Sequence, residues 1–435
     1  MISGDKIKGM ELPRLLLVRQ NFPDRRIADI PARVATELAR SGMAARLKPG
    51  SEVAIGVGSR GIHNLELIVA SVVRYWKDQG MRPLLFPAMG SHGGATAEGQ
   101  QSVLAHYGIT EASMDCPIVS QLEVVSLGKT ADGIEAFMDR AAYQAGAVLL
   151  VNRVKWHTDF SGAIESGLFK MMAIGLGKLA GAQRYHSYGH RLGLEYVIRT
   201  VGRQTLGSGK ILGGVAILED AYHNTAKIDV VPAEAMERRE EENLALVKSW
   251  MATLPMDLDL LVVDEMGKNI SGLGMDTKII NRTHRGEYNL FADTPRIERI
   301  FTRALSDLSY GNALGVGGAD VVTDRLVEAI DTHNTWINAL TASNPSGAHT
   351  PIHYPTDREC LEHLLPTAGR EDPSQVTIGW IRNTLELARL GLSENLRRQI
   401  EGNSLLTIED AIPIEFDRAH NLVSPFLKVE TTAGA

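Results

Sequence analysis

The sequence predicts an α/β protein built from two α/β domains, with the active site in the cleft between them. Three observations lead there. Short apolar runs alternate with amphipathic stretches through the first half, glycine turns follow several of those runs, and a chain of 435 residues exceeds what one hydrophobic core usually serves.

Val53–Val57 reads as a strand, Leu65–Gln79 as a helix closed by Gly80, and Pro83–Pro87 as the next strand. Gly90–Ala95 is a turn, and Thr96 caps the helix that follows it. Val148–Val151 is a buried strand, and the loop Asn152–Ser161 leaves its carboxyl end, the edge at which such sheets bind ligands. Ala163 to about Thr200 is helical with a break at Gly175–Gly177, followed by strands at Ile211–Leu218 and Ile228–Val231 and a charged helix, Ala233–Met251. After Pro255 the polar pattern gives way to the apolar run Leu258–Val263, so the domains are read as 1–254 and 255–435. Helices are expected in the second half at Pro295–Ala304, Asp320–Leu340 and Val376–Leu390.

Composition narrows the function. Hydrophobic residues make up 44% and charged residues 22% of the chain, and the net charge is -7 with both signs interspersed. That pattern gives no basic stripe for nucleic acid and no polybasic membrane anchor. Cys116 and Cys360 are the two cysteines, too few for a disulfide framework and without CxxC spacing. The N-terminus lacks the apolar core of a secretory signal, and no run reaches membrane-span length, so a cytoplasmic enzyme is expected.

Three motifs carry candidate chemistry. Gly56-Val57-Gly58-Ser59-Arg60-Gly61 is a G-x-G-x-x-G turn between strand and helix, which suits either a dinucleotide or an anionic ligand met by backbone N–H groups and Arg60. No acidic residue follows at the end of the next strand to hold a ribose, which favours the simpler anion turn. Gly90-Ser91-His92-Gly93-Gly94 presents an imidazole in a rigid turn, suited to acid–base work near neutral pH. The densest stretch holds Trp156-His157-Thr158-Asp159, then Ser166-Gly167-Leu168-Phe169-Lys170, then Tyr185-His186-Ser187-Tyr188-Gly189-His190. His186 and His190 stand one helical turn apart but lack the glutamate of a zinc hydrolase. His190 reads as a supporting or surface residue, and His63, His106 and His284 as structural.

At these residues the chain resembles the lactate racemase family, the nickel-pincer nucleotide enzymes, as a divergent member. Ser59-Arg60 stands where the family has Thr-Arg, and His92 follows Arg60 by 32 residues in the Gly-Ser-His turn. His157 opens the family's His…Ser-Gly-Gly-x-Lys stretch, here ending Ser166-Gly167-Leu168-Phe169-Lys170, and His186 follows Lys170 by 16 residues. Val57 replaces an acidic residue, Leu168 replaces a glycine, and the His157-to-Lys170 interval is longer by about a turn; these departures touch the pocket more than the reactive side chains.

The resemblance implies an isomerase that racemises or epimerises a small 2-hydroxy acid by hydride transfer. It makes Lys170 the covalent tether of the nickel-pincer nucleotide and His186 the nickel ligand, with Ser59, Gly90 and Ser91 beside the cofactor. His92 and His157 become the opposed acid–base pair, and Arg60 the grip on the substrate carboxylate, with Lys268 as a second anion contact. Cofactor-maturation enzymes are implied as partners, and a homo-oligomer is compatible. Two alternatives remain at this point: an NAD-dependent 2-hydroxyacid oxidoreductase using Gly56–Gly61, and a binding protein of the same fold without chemistry.

Overall fold

The computed structural model describes residues 12–58, 61–158, 160–283, 287–342 and 344–426, and its chain divides into two compact units. One unit runs from Pro23 to Met251; the other takes the described residues up to Phe22 together with those from Ala252 onward. Among the described residues no helix is long and apolar enough to cross a membrane.

The strands, in chain order, are β1 (Leu15–Gln20), β2 (Glu52–Val57), β3 (Arg82–Pro87), β4 (Val124–Lys129), β5 (Glu135–Asp139), β6 (Ala147–Arg153), β7 (Ile211–Glu219), β8 (Thr225–Pro232), β9 (Leu258–Met266), β10 (Ile297–Leu305), β11 (Val321–Thr323), β12 (Ile352–Tyr354), β13 (Ile378–Ile381), β14 (Arg389–Ser393) and β15 (Leu406–Ile412).

In the Pro23–Met251 unit a sheet of order β3-β2-β6-β7-β8 is parallel apart from its last pair. Both faces are covered. Helices Ile30–Ser41 and Leu65–Asp78 bury Val34, Leu38, Ile68, Val72 and Trp76 with Val53, Ile55 and Val57, while helix Leu194–Leu206 and the β4–β5 hairpin bury Val197, Val201 and Met138 with Ala54, Val148 and Leu150. Two-sided burial is why these strands read as continuous apolar runs. The order also creates a switch point: β2 connects to β3 on one side, whereas β6 connects onward to β7 on the other. Loops leaving the carboxyl ends of β2 and β6 therefore diverge around a crevice, where open parallel sheets bind ligands.

The second unit holds a sheet of order β12-β11-β10-β9-β13-β14-β1-β15, parallel from β12 to β13 and antiparallel beyond it. Four expectations are corrected here. The first domain does not start at residue 1, because β1 pairs with β14 and β15, and the division falls between Met251 and Ala252. Pro295–Ala304 is not a helix but contains most of β10, a central strand whose apolar residues Ile297, Ile300 and Phe301 are buried on both faces and so mimic helical spacing. Val376–Leu390 contains β13 and the start of β14, with a turn in which Asn383 Oδ1 accepts from the N–H groups of Leu385 and Glu386. Asp320–Leu340 is divided: β11, a short helix Asp324–Glu328, then helix Thr332–Thr341.

Candidate active site

The segment that follows β6 folds back over the switch point. Lys155 and Ser166 form a backbone bridge, so the intervening loop is a closed excursion carrying His157. Its shape is set by Glu165, fully buried, which accepts from His157 N at 2.6 Å, from Gly162 N at 3.1 Å and from Lys248 Nζ at 2.7 Å. The His157 ring lies against Phe160, with centroids 4.3 Å apart.

Beyond Ser166 the chain enters a short helical turn, Leu168–Lys170, a π-helical turn, Met171–Gly175, and helix Lys178–Leu192. Asn152, at the end of β6, donates to Gly167 O at 2.9 Å and anchors this segment over the sheet edge. The packing there tolerates no side chain at three glycines. A Cβ on Gly58, just past β2, would lie 2.4 Å from Asn152 Oδ1 and 3.3 Å from Met171 Cε; one on Gly175 would meet Ala88 O at 2.7 Å; one on Gly90 would meet Ile174 at 2.8 Å and Ala182 at 3.1 Å. The exits of β2 and β3 thus close on residues 171–182, and that of β6 on Ser166 and Gly167 just ahead of Lys170.

A continuous α-helix would separate residues 16 positions apart by about 24 Å. The path from Lys170 to His186 is not such a helix, being interrupted by the π-helical turn and by a left-handed residue at Lys178, φ 53°. Ala182 packs against Gly90, which precedes His92 by two residues, and His186 stands one turn beyond Ala182 along the same helix.

Of the expected site residues, the structure brings Lys170 and His157 into direct contact, Lys170 Nζ to His157 Nε2 at 2.6 Å, both half-buried. His92 and His186 are also half-buried, Gly90 is buried and Ser91 exposed. The expectations for Ser59 and Arg60 fall outside the described residues. Lys268 belongs to the other unit, where its Nζ donates to Gly272 O at 2.7 Å and Asn338 Oδ1 at 2.6 Å. Among the described residues no group of three or more His, Cys, Asp or Glu side chains is arranged to hold a metal ion. Burial pushes the thiols of Cys116 and Cys360 up to about 11 and about 12, so neither serves as a thiolate nucleophile near neutral pH.

Several supporting residues escape sequence reasoning. Arg153 donates to Gly61 O at 3.0 Å and pairs with Glu219, whose Oε1 accepts from His63 N at 2.8 Å; together they pin the loop after β2. This also bears on the dinucleotide alternative. The helix opens at Leu65, four residues past the last fingerprint glycine, and a buried carboxylate holds the backbone just ahead of it, where a pyrophosphate would need N–H groups to itself.

Glu240 is the other. It is buried beneath Gly167 and accepts from Phe169 N at 3.1 and 3.0 Å, bracing the turn that carries Lys170. Burial pushes its carboxyl up to about 8, against the pull of the Phe169 and Leu168 N–H groups. The folded state then retains a proton that the unfolded chain releases, so stability falls as pH rises from about 4.5 to about 8. Glu240→Gln keeps an acceptor for Phe169 and cannot ionise. Its melting temperature is expected to match wild type near pH 5 and to exceed it at pH 9, the gap reaching a few kcal/mol in unfolding free energy.

No protein-family model and no curated protein matches the chain. Among solved structures it is similar to the lactate racemase apoprotein from Thermoanaerobacterium thermosaccharolyticum, with 13% sequence identity, a TM-score of 0.48, and coverage of 85% of this chain and 98% of that one.

Proposed function

We propose that this protein is a racemase or epimerase that inverts C2 of a small 2-hydroxy acid by reversible hydride transfer, with a nickel-pincer nucleotide as cofactor. The observation that carries the reading is the contact between Lys170 Nζ and His157 Nε2 at the switch point of a parallel sheet. An amine and an imidazole meet there on a segment against which the His92 loop also packs.

The residues present suit such a group. Lys170 offers a half-buried amine for covalent attachment, the three crowded glycines leave backbone rather than side chains along the sheet edge, and His186 supplies an imidazole, a donor that nickel accepts. When bound, the cofactor supplies a hydride acceptor and donor. The rest falls to the chain. A charged Lys170 has only donors, so its contact with His157 makes Nε2 the acceptor and puts the ring proton on Nδ1. With the amine in an amide-type linkage to a bound cofactor, Lys170 would carry no charge, and His157 Nε2 would be the acceptor placed to take the substrate hydroxyl proton. The hydroxyl points to opposite sides in the two enantiomers, so two bases are required; His157 serves one hand and His92 the other, each returning its proton as an acid. Arg60 is assigned the carboxylate, which stays fixed while the planar keto group turns.

The test is a chiral assay of protein expressed with cofactor-maturation enzymes against a panel of 2-hydroxy acids. Interconversion of enantiomers without added nicotinamide is expected. Oxidation to the keto acid coupled to NADH formation would support the dehydrogenase alternative instead.

A further inference from the structure

Between Lys170 and His186 lies a buried cation to which the reading above gives no task. Lys178 is fully buried, with a left-handed backbone that residues bearing a side chain rarely adopt. Glycine would adopt it freely, and Gly175 and Gly177 stand close by in sequence. The lysine side chain holds the position by what it reaches. Its Nζ donates to Pro87 O at 2.6 Å and to Gln100 Oε1 at 3.2 Å, and pairs with Asp139 Oδ2 at 3.1 Å, both charged side chains being wholly buried. Burial, opposed by Asp139, draws the ammonium below the usual lysine range.

The network continues toward His92. Gln100, also fully buried, donates from Nε2 to Met89 O at 2.8 Å and to Gly90 O at 3.0 Å. Three carbonyls at the end of β3, those of Pro87, Met89 and Gly90, therefore terminate on one amine and one amide, and the next two residues are Ser91 and His92. Asp139 is itself fixed, because Oδ1 accepts from Ala142 N at 3.0 Å. On the far side of the turn a Cβ on Gly99 would sit 1.8 Å from Gly93 O, so helix Ala97–His106 leaves the turn no room to shift. A buried ion pair adds little net stability compared with apolar packing, which directs attention to the arrangement it fixes.

We propose that Lys178, acting with Gln100 and Asp139, is a positioning residue for His92, locking the carbonyl row at the end of β3 to the helix that runs on to His186. This rests on the role assigned above to His92. Lys178 touches neither substrate nor cofactor in this scheme; it sets where the His92 imidazole stands.

The test compares wild type with Gln100→Met, which leaves Lys178 paired, and with Lys178→Met/Asp139→Asn, which removes both buried charges together and keeps the acceptor for Ala142. One readout is the side-chain NMR signal of His92 in cofactor-free protein, assigned by its loss in His92→Gln. The other is kcat and KM for racemisation, with loading of Lys170 verified by intact mass. The His92 signal is expected to move or broaden in both variants while those of His63 and His106 hold, and kcat to fall about 10- to 100-fold with KM within about twofold. An unmoved His92 signal with unchanged kcat overturns the proposal, as does an equal disturbance of every histidine, the mark of a merely structural role. If wild type shows no racemisation but the His92 signal moves as stated, the positioning role stands and the functional reading falls.

Discussion

Replacing His157 with alanine in cofactor-loaded protein is expected to lower racemisation by about 10²–10⁴-fold, the usual contribution of a positioned acid–base group. The same is expected of His92→Ala, and neither variant should lose the cofactor mass on Lys170. The two should differ in the half-reaction. If each imidazole serves one enantiomer, a single turnover with His157→Ala still forms the keto acid from one hand and fails with the other, and His92→Ala shows the reverse preference. Loss of both hands in each variant would place the two imidazoles in one shared step. His157 also contacts the Lys170 amine directly, so its variant must be checked for loading by intact mass before its rate is read. Lys170→Ala provides the reference: no covalent adduct and no racemisation.

The second large effect concerns stability. Arg303, on β10, is buried between two carboxylates: it pairs with Asp264 and, at 2.7 Å, with Asp357 Oδ2, and it donates to Leu422 O. Asp264 further accepts from Trp380 Nε1 at 2.7 Å and from Ser424, and Asp357 from Leu422 N at 2.9 Å and from Arg325. Arg303→Leu removes the cation shared by both acids. An orphaned buried charge costs about 3–5 kcal/mol, which for a unit of this size lowers the melting temperature by roughly 6–20 °C. Adding Asp264→Asn should recover part of the loss. Thermal denaturation of the three proteins decides it; an unchanged melting temperature in Arg303→Leu would mean that solvent reaches the cluster.

The parallel sheet of the Pro23–Met251 unit was legible because its strands are buried on both faces and bounded by glycine turns, and the His92 and His157 loops fall where that pattern put them, at carboxyl ends. The same two-sided burial hid β10, since Ile297, Ile300 and Phe301 repeat with helical spacing. β1 was hidden for another reason: its partners β14 and β15 lie near the other end of the chain, and no local pattern announces so distant a pairing. At the site, reactive residue types stood out, whereas Glu165, Glu240, Arg153 and Lys178 did not, because a charged residue is read as exposed until its buried partner is known. Lys178 did leave a signal. It is a lone cation after the otherwise apolar run Met171–Gly177, a setting in which a charge must find a partner.

The most direct measurement is isotopic. A 2-hydroxy acid bearing deuterium at C2 is incubated in ordinary water with the cofactor-loaded protein, and the enantiomer formed is examined by mass and NMR. If hydride leaves C2 and returns to its other face while His157 and His92 move only hydroxyl protons, the inverted product keeps its deuterium. Inverted product carrying solvent hydrogen at C2 would mean that a base removes a proton from carbon, and would contradict the account.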